Sequence, residues 1–311
     1  MKLSRRNFIK AAAVSGAVLP FAHALATEKV TSNPSSIYYF TKDLDGYETE
    51  FMAETLAMTG VDGLDLTVRP GGKVDPSRVA DELPKVIEIG NKYDLATDLM
   101  VTAITGTEDR QTGEVLKTAS SLGVKHYRLG YYRYDMSAGI LKTLEMIKPR
   151  LNALSEMNRQ YGIQAGYQNH SGGMVGSPVW DVWEIIKDLS AETISSQFDI
   201  RHATVEGNTS WRFVLHLLAN NIGSLAIKDF TWLVEKGRAR VVNVPLGEGV
   251  VNFSQYADIL RELNLIGTPI TLHVEYPLLT PAQEHYSLLE KQKIMVRIIE
   301  KDVRFIRDLL S

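Results

Sequence analysis

Apolar residues in this chain fall into short unbroken runs, and most runs are followed by a stretch with apolar positions at helical spacing. The first run is Ser36–Thr41, with a helical pattern from Gly46 to Met58 behind it. Leu64–Val68 predicts a second strand that closes in Arg69-Pro-Gly-Gly72, and Pro76 suits the first turn of a helix reaching Tyr93. Strands are then expected at 95–105, 123–130, 163–170, 195–200, 222–228 and 269–275. Their helices are expected at 113–122, 136–161, 178–189, 210–220, 254–263 and 286–310, and a longer loop at 244–249 interrupts the order once. Runs that are apolar without alternation belong to strands buried on both faces, as in a parallel sheet covered by helices. Eight such units over roughly 285 residues fit a closed (β/α)8 TIM barrel better than an open doubly wound sheet. The fold expected is therefore α/β, a single barrel over residues 36–311 with no second domain.

The polar residues that interrupt this pattern cluster at the ends of the predicted strands. Ile163–His170 ends in Gln168, Asn169 and His170 before Ser171-Gly-Gly173, Phe198–His202 ends in Asp-x-x-His, and Ile270–Tyr276 carries His273 and Glu275. Polar residues at strand C-termini are where a barrel of this kind builds its active site. His273 and Glu275 stand two apart on one strand and so share a face. Arg69 and Arg128 follow or end strands and can hold a hydroxyl, a carboxylate or a phosphate. Trp211, Trp232 and the Tyr131-Tyr-Arg-Tyr134 cluster could offer a stacking wall for a sugar, although aromatic packing explains them better. His126 and His216 read as structural or surface residues.

Composition narrows the classes. The 311 residues are 44% hydrophobic and 23% charged, enough for a sizeable core, and the net charge of −3 supplies no basic stripe for nucleic acid. With no cysteine, disulfides, thiolate metal sites and thiol nucleophiles are excluded. No GxGxxG follows the first strand and no phosphate-binding P-loop occurs, which argues against dinucleotides and ATP. The N-terminus reads as an export signal. Ser4-Arg-Arg-Asn-Phe-Ile-Lys10 is a twin-arginine pattern, a mildly apolar run follows, and Ala24-Leu-Ala26 suits signal peptidase. Residues 1–26 are thus expected to be removed and 27–35 to act as a linker, leaving a periplasmic protein of formal charge −7 with no membrane span.

Six motifs in order resemble the xylose isomerase-like barrels, the sugar phosphate isomerase/epimerase superfamily. They are Gly60-Val-Asp-Gly-Leu-Asp65, Asn169-His170, Asp199-Ile-Arg-His202, Lys228-Asp229, Pro245-Leu-Gly-Glu-Gly249 and Val274-Glu275. The resemblance implies a divalent metal (Mn2+, Mg2+ or Zn2+) held by four side chains at the strand ends. Carried over, Asp199 and Glu275 match, Gln168 stands where the family has a glutamate, and Ala226 stands where it has a histidine; His273 is a stand-in for that imidazole. The expected metal ligands are thus Asp199, Glu275, Gln168 and His273. The expected catalytic residues are Glu275, His170 and Lys228, and His202, Arg69, Arg128, Asn169 and Trp232 are expected to bind substrate. The activity implied is isomerisation or epimerisation of a small non-phosphorylated carbohydrate, by proton abstraction beside a carbonyl. Elimination or hydration of a 3-keto sugar would use the same step. A non-catalytic carbohydrate-binding protein with a degraded metal site is the alternative outside enzymes, and DNA repair is disfavoured by charge and export. The sequence leaves open whether the chain forms oligomers.

Overall fold

A computed structural model describes residues 34–311. The signal peptide and all but the last two residues of the linker lie outside the described residues. Strands β1 (Ile37–Phe40), β2 (Gly63–Val68), β3 (Ala96–Thr102), β4 (His126–Arg128), β5 (Gln164–Gln168), β6 (Ile194–Asp199) and β7 (Ile222–Ile227) are parallel neighbours in chain order. An antiparallel hairpin, β8 (Asp229–Glu235) and β9 (Arg238–Val244), follows β7. Strand β10 (Ile270–Leu272) then pairs with both β7 and β1 and closes the ring. This is the (β/α)8 barrel. Nine helices occur among the described residues: α1 (Thr49–Ala57), α2 (Val79–Lys92), α3 (Arg110–Ser121), α4 (Ile140–Tyr161), α5 (Trp180–Ile186), α6 (Ile200–Gly207), α7 (Trp211–Leu218), α8 (Phe253–Glu262) and α9 (Leu288–Leu310).

The unbroken apolar strands are explained by burial on two sides: every residue of β1, β2 and β6 is buried. Close approach is built in at Gly63, where an added Cβ would lie 2.3 Å from the Ala96 carbonyl oxygen and 2.8 Å from the Tyr38 ring. Helix α9 begins with a capping box, Ser287 and Glu290 each accepting from the other's backbone. No helix among the described residues is long and apolar enough to cross a membrane.

Two elements differ from the sequence expectation. The sixth strand stops at Asp199, because its carboxylate accepts from the His202 amide at 2.9 Å and caps α6. Asp-x-x-His is therefore a strand end and a helix start in one motif. The expected loop after the seventh strand instead contains the hairpin β8–β9. Its two-residue turn, Lys236-Gly237, has both φ angles positive (50° and 74°), as a tight hairpin of matching twist requires.

Candidate active site

Four barrel strands deliver one side chain each to a common point at their C-terminal ends: Gln168 from β5, Asp199 from β6, Lys228 after β7 and Glu275 after β10. Ala226 pairs with Asp199 across the β6–β7 ladder, and Lys228, two residues on, shares its face. The 226 side chain is only a methyl. The Lys228 ammonium lies 3.2 Å from Asp199 Oδ2 and 3.1 Å from Glu275 Oε2. Lys228 is 2% exposed and the Asp199 side chain is wholly buried, whereas Glu275 retains 20% exposure. Lys42 approaches Glu275 Oε1 from the solvent side at 3.7 Å.

Hydrogen-bond chemistry fixes the Gln168 amide. Its Oε1 accepts from Arg128 at 2.7 Å and from the Tyr131 hydroxyl, and its Nε2 donates to Asp199 Oδ2 at 2.7 Å. A guanidinium only donates and an ionised carboxylate only accepts, so the amide has one possible orientation. Asn169 also turns away from the mouth. Its amide accepts from the Asp199 backbone N–H at 2.8 Å and donates to the Asp199 carbonyl at 2.9 Å, fastening β5 to β6. The amide of Asn169, a residue expected to bind substrate, thus braces the Asp199 backbone from both sides.

A wall of rings and guanidinium groups surrounds this cluster. His170 stacks on His202 with centroids 4.0 Å apart, and Tyr131 lies 4.9 Å from His170. His202 Nδ1 is held by Ser171 and Arg201, while its Nε2 has no partner and lies 3.8 Å from Asp199. His273 stacks on Phe40 at 4.4 Å, with both ring nitrogens unpartnered and Nδ1 4.0 Å from Glu275. Arg69 and Arg128 each place a guanidinium carbon 5.6 Å from the Phe40 centroid. Asn243 at the base of the hairpin accepts from Arg201 and donates to the Glu275 carbonyl. Trp232 is not part of the wall: it stands 46% exposed on β8, in edge contact with Phe230. Phe40, Lys42, Arg201 and Asn243 escaped the sequence reading. The first three lie at or just beyond strand ends, the signal that found the others.

Burial holds His170 below its ordinary range, and burial followed by the Lys228 charge holds His202 and His273 well below it. All three imidazoles are neutral near pH 7. Burial raises the Glu275 carboxyl, but the charges around it, Lys228 foremost, outweigh that and hold it far below the usual carboxylate range. Glu275 also lines a mouth-side cavity of about 320 Å³ with Asp43, Tyr47, Tyr276 and Glu284. A second cavity of about 180 Å³ lies to one side, between the loops after β2 and β3 and helix α3, and touches none of the cluster.

The expected metal does not fit these residues. The position between Asp199 and Glu275 holds an ammonium, Gln168 turns a donor nitrogen toward Asp199, and His273 stacks on Phe40 with its Nδ1 4.0 Å from Glu275. No group of three or more His, Asp or Glu side chains among the described residues is arranged to hold an ion. A dication there would meet a positive charge and an amide N–H where it needs oxygen ligands. In this arrangement Gln168 and His273 share no ion position with Asp199 and Glu275, whose carboxylates contact Lys228.

Comparison with known proteins agrees with this architecture. Residues 110–295 match the family described as xylose isomerase-like TIM barrel, and the chain belongs to that family. An uncharacterized protein of Methanocaldococcus jannaschii is 28% identical over 119 residues, 38% of this chain and 39% of that protein, so the match spans well under half of the curated relative. Solved structures share the fold at low identity. A D-allulose 3-epimerase from Methylomonas sp. superposes with TM-score 0.64 at 13% identity, covering 89% of this chain and 98% of the other. A 3-keto-D-glucoside 4-epimerase from E. coli gives 0.59 at 14%, covering 85% and 99%. A xylose isomerase-like barrel from Mycobacterium smegmatis, solved with magnesium, gives 0.58 at 15%, covering 89% and 98%.

Proposed function

We propose that this chain is an exported carbohydrate isomerase or epimerase that moves a proton beside a carbonyl without a metal. The observation that carries the reading is the Lys228 ammonium within 3.2 Å of both Asp199 and Glu275, at the strand ends where such barrels do chemistry. An ammonium has three N–H donors, so contacts with two carboxylates leave a third for a substrate oxygen. A preorganised cation in a water-poor site stabilises an enediolate oxygen as the proton leaves. Glu275, the most exposed of the three, takes the proton at the cavity edge, and neutral His170 across the mouth is the second proton-handling group. The epimerase activities of the two sugar-acting neighbours support a carbohydrate substrate; elimination from a 3-keto sugar would use the same first step. The export pattern at residues 1–26 supports a periplasmic location and a substrate without phosphate.

The test is solvent exchange. Aldoses, ketoses, sugar acids and 3-keto-glycosides are incubated with the protein in D2O, and deuterium at the carbon beside the carbonyl is read by NMR. Exchange that survives chelator treatment and disappears in Glu275→Gln is expected. Exchange that requires added Mn2+ or Mg2+ would sink the metal-free reading. Sugar binding without exchange by any of them would make the chain a binding protein.

A further inference from the structure

Three guanidinium groups ring the mouth, and none has a carboxylate within 4.0 Å among the described residues. Arg128 donates to Gln168 and Tyr131, and Arg201 donates to Ser171, His202 and Asn243, all neutral acceptors. The Arg69 side chain makes no hydrogen bond or ion pair at all among the described residues. The Arg128 and Arg201 Nε atoms are buried without partners. Asp45 and Asp65 are the carboxylates whose charge reaches Arg69, and Asp65 also acts on Arg128, but neither comes within 4.0 Å of a guanidinium: Asp45 accepts from Thr41 and Thr67, and Asp65 from Thr271. The two carboxylates at the centre, Asp199 and Glu275, are held by Lys228. Buried cations are ordinarily paired, because removing them from water is costly. Here two like charges, Arg69 and Arg128, instead converge on one aromatic ring, Phe40, whose neighbour His273 leads directly to Glu275. Burial and the Arg128 charge both lower Arg69, which a bound anion would reverse.

We propose that the mouth beside Phe40 is a carboxylate subsite, where Arg69 and Arg128 hold the carboxylate of an acidic sugar against the Lys228–Glu275 pair. The ligand class is a uronic or aldonic acid, or its keto form. This inference rests on the proton-transfer reading for its choice of a sugar, but the subsite stands on its own geometry. The planar guanidinium fork matches a carboxylate in two-point contact. Buried Arg128 forms the floor, and half-buried Arg69, on the loop after β2, is the group a ligand meets first.

Calorimetric binding to the full chain tests it, with D-galacturonate, D-glucuronate and D-gluconate set against D-galactose, D-glucose and glucose 6-phosphate. The acidic sugars are expected to bind at least about tenfold more tightly than their neutral counterparts, in line with a charge-assisted contact. Arg69→Gln should abolish that preference without lowering the melting temperature. Arg69→Lys should restore only part of it. Neutral sugars binding as tightly, acidic-sugar affinity untouched in Arg69→Gln, or no acidic sugar binding would each overturn the subsite. Glucose 6-phosphate binding at least as tightly through Arg69 would make it a phosphate site instead. Glu275→Gln separates the two proposals: it should keep the acidic-sugar preference even if no proton exchange is ever found. Exchange on neutral sugars without that preference would leave proton transfer standing and remove the subsite.

Discussion

Two buried aspartates stand at the ends of adjacent barrel strands, and their surroundings differ completely. Asp229, just past β7, accepts four backbone N–H groups, from Phe230, Gly247, Gly249 and Val251. The fit is so close that a Cβ at Gly249 would lie 2.2 Å from Asp229 Oδ1. Asp199, at the end of β6, meets only one backbone N–H with its carboxylate and otherwise faces Lys228, Gln168 and a partnerless His202 nitrogen. A carboxylate saturated by backbone folds a loop; here that loop is the Pro-Leu-Gly-Glu-Gly motif. A carboxylate met by side chains, one of them an ammonium, holds charge where a substrate can change the balance. The same residue type near the ends of neighbouring strands thus braces a loop in one case and meets charged and polar side chains in the other.

The sharpest way to break this contrast is to remove the ammonium. Lys228→Met should lower proton-exchange rates by at least about 10²–10³-fold, the usual consequence of losing one preorganised oxyanion donor. It also leaves Asp199 and Glu275 as like charges without their mediator, so the Glu275 carboxyl should rise. NMR titration of Glu275 reads that rise independently of activity. In the wild type Glu275 is depressed, so its contribution to stability is complete above its unfolded value near 4.3 and is lost as the pH falls below it. Lys228→Met should flatten that acid limb. An unmoved Glu275 would mean that the triad is not coupled.

The structural half of the comparison predicts a large effect on stability. Asp229→Ala leaves four backbone donors without their acceptor, two of them buried (Phe230 and Val251), and at about 1–3 kcal/mol for each buried one left unsatisfied a loss of about 3 kcal/mol is expected. For a domain of this size that is roughly a 5 °C fall in melting temperature. Asp199→Asn keeps an acceptor for the His202 amide and should melt within a few degrees of wild type while losing exchange activity. If the two variants exchanged these phenotypes, the assignment of roles would be reversed.

The three neutral imidazoles predict a smaller, pH-dependent effect. Their folded values are lowered, so the unfolded chain binds more protons below about pH 6.5, and their share of stability falls as the pH drops through that point. Each histidine that stays neutral contributes a slope of about 1.4 kcal/mol per pH unit. Burial raises Asp65 and Asp302 to about 6, which acts in the opposite direction over the same range. The quantity to measure is therefore the difference in urea unfolding energy between wild type and His273→Leu at pH 7.5 and 5.5. The variant should lose less stability on acidification. An identical pH response would mean that His273 is charged, or free to become so, in the folded protein.

Much of this was legible in the sequence. The eight alternations were visible because strands buried on both faces and amphipathic helices leave different periods, and Asp199 and Glu275 were found because they end strands. Direction was not legible. Ala226 and Lys228 could be read as a missing ligand and a neighbouring base, but only the fold shows the ammonium filling the position between the carboxylates. Gln168 and Asn169 are adjacent amides, and nothing in their order reveals that one faces Asp199's side chain and the other its backbone. The hairpin was hidden by expectation: Phe230, Trp232 and Val234 alternate with Thr231, Leu233 and Glu235, half of an ordinary strand signal, before the Lys236-Gly237 turn. Arg201 lies inside Asp-x-x-His, a motif whose signal rests on its first and last residues alone.

Trp232 marks the outer limit of the contrast and predicts the smallest effect. A sugar-stacking tryptophan would face the mouth, whereas this one is 46% exposed on a two-stranded ribbon, and its aromatic contact is with Phe230. Trp232→Ala should change stability by less than about 1 kcal/mol, because little buried area is lost. It should leave the affinity for acidic and neutral sugars alike, while Arg201→Gln, whose side chain links the hairpin base to His202 through Asn243, should weaken binding. The hairpin then touches the chemistry only at its root. Should Trp232→Ala weaken sugar binding by tenfold, the ribbon would have to fold over the mouth when ligand enters, and the ring of residues at the strand ends would be only part of the site.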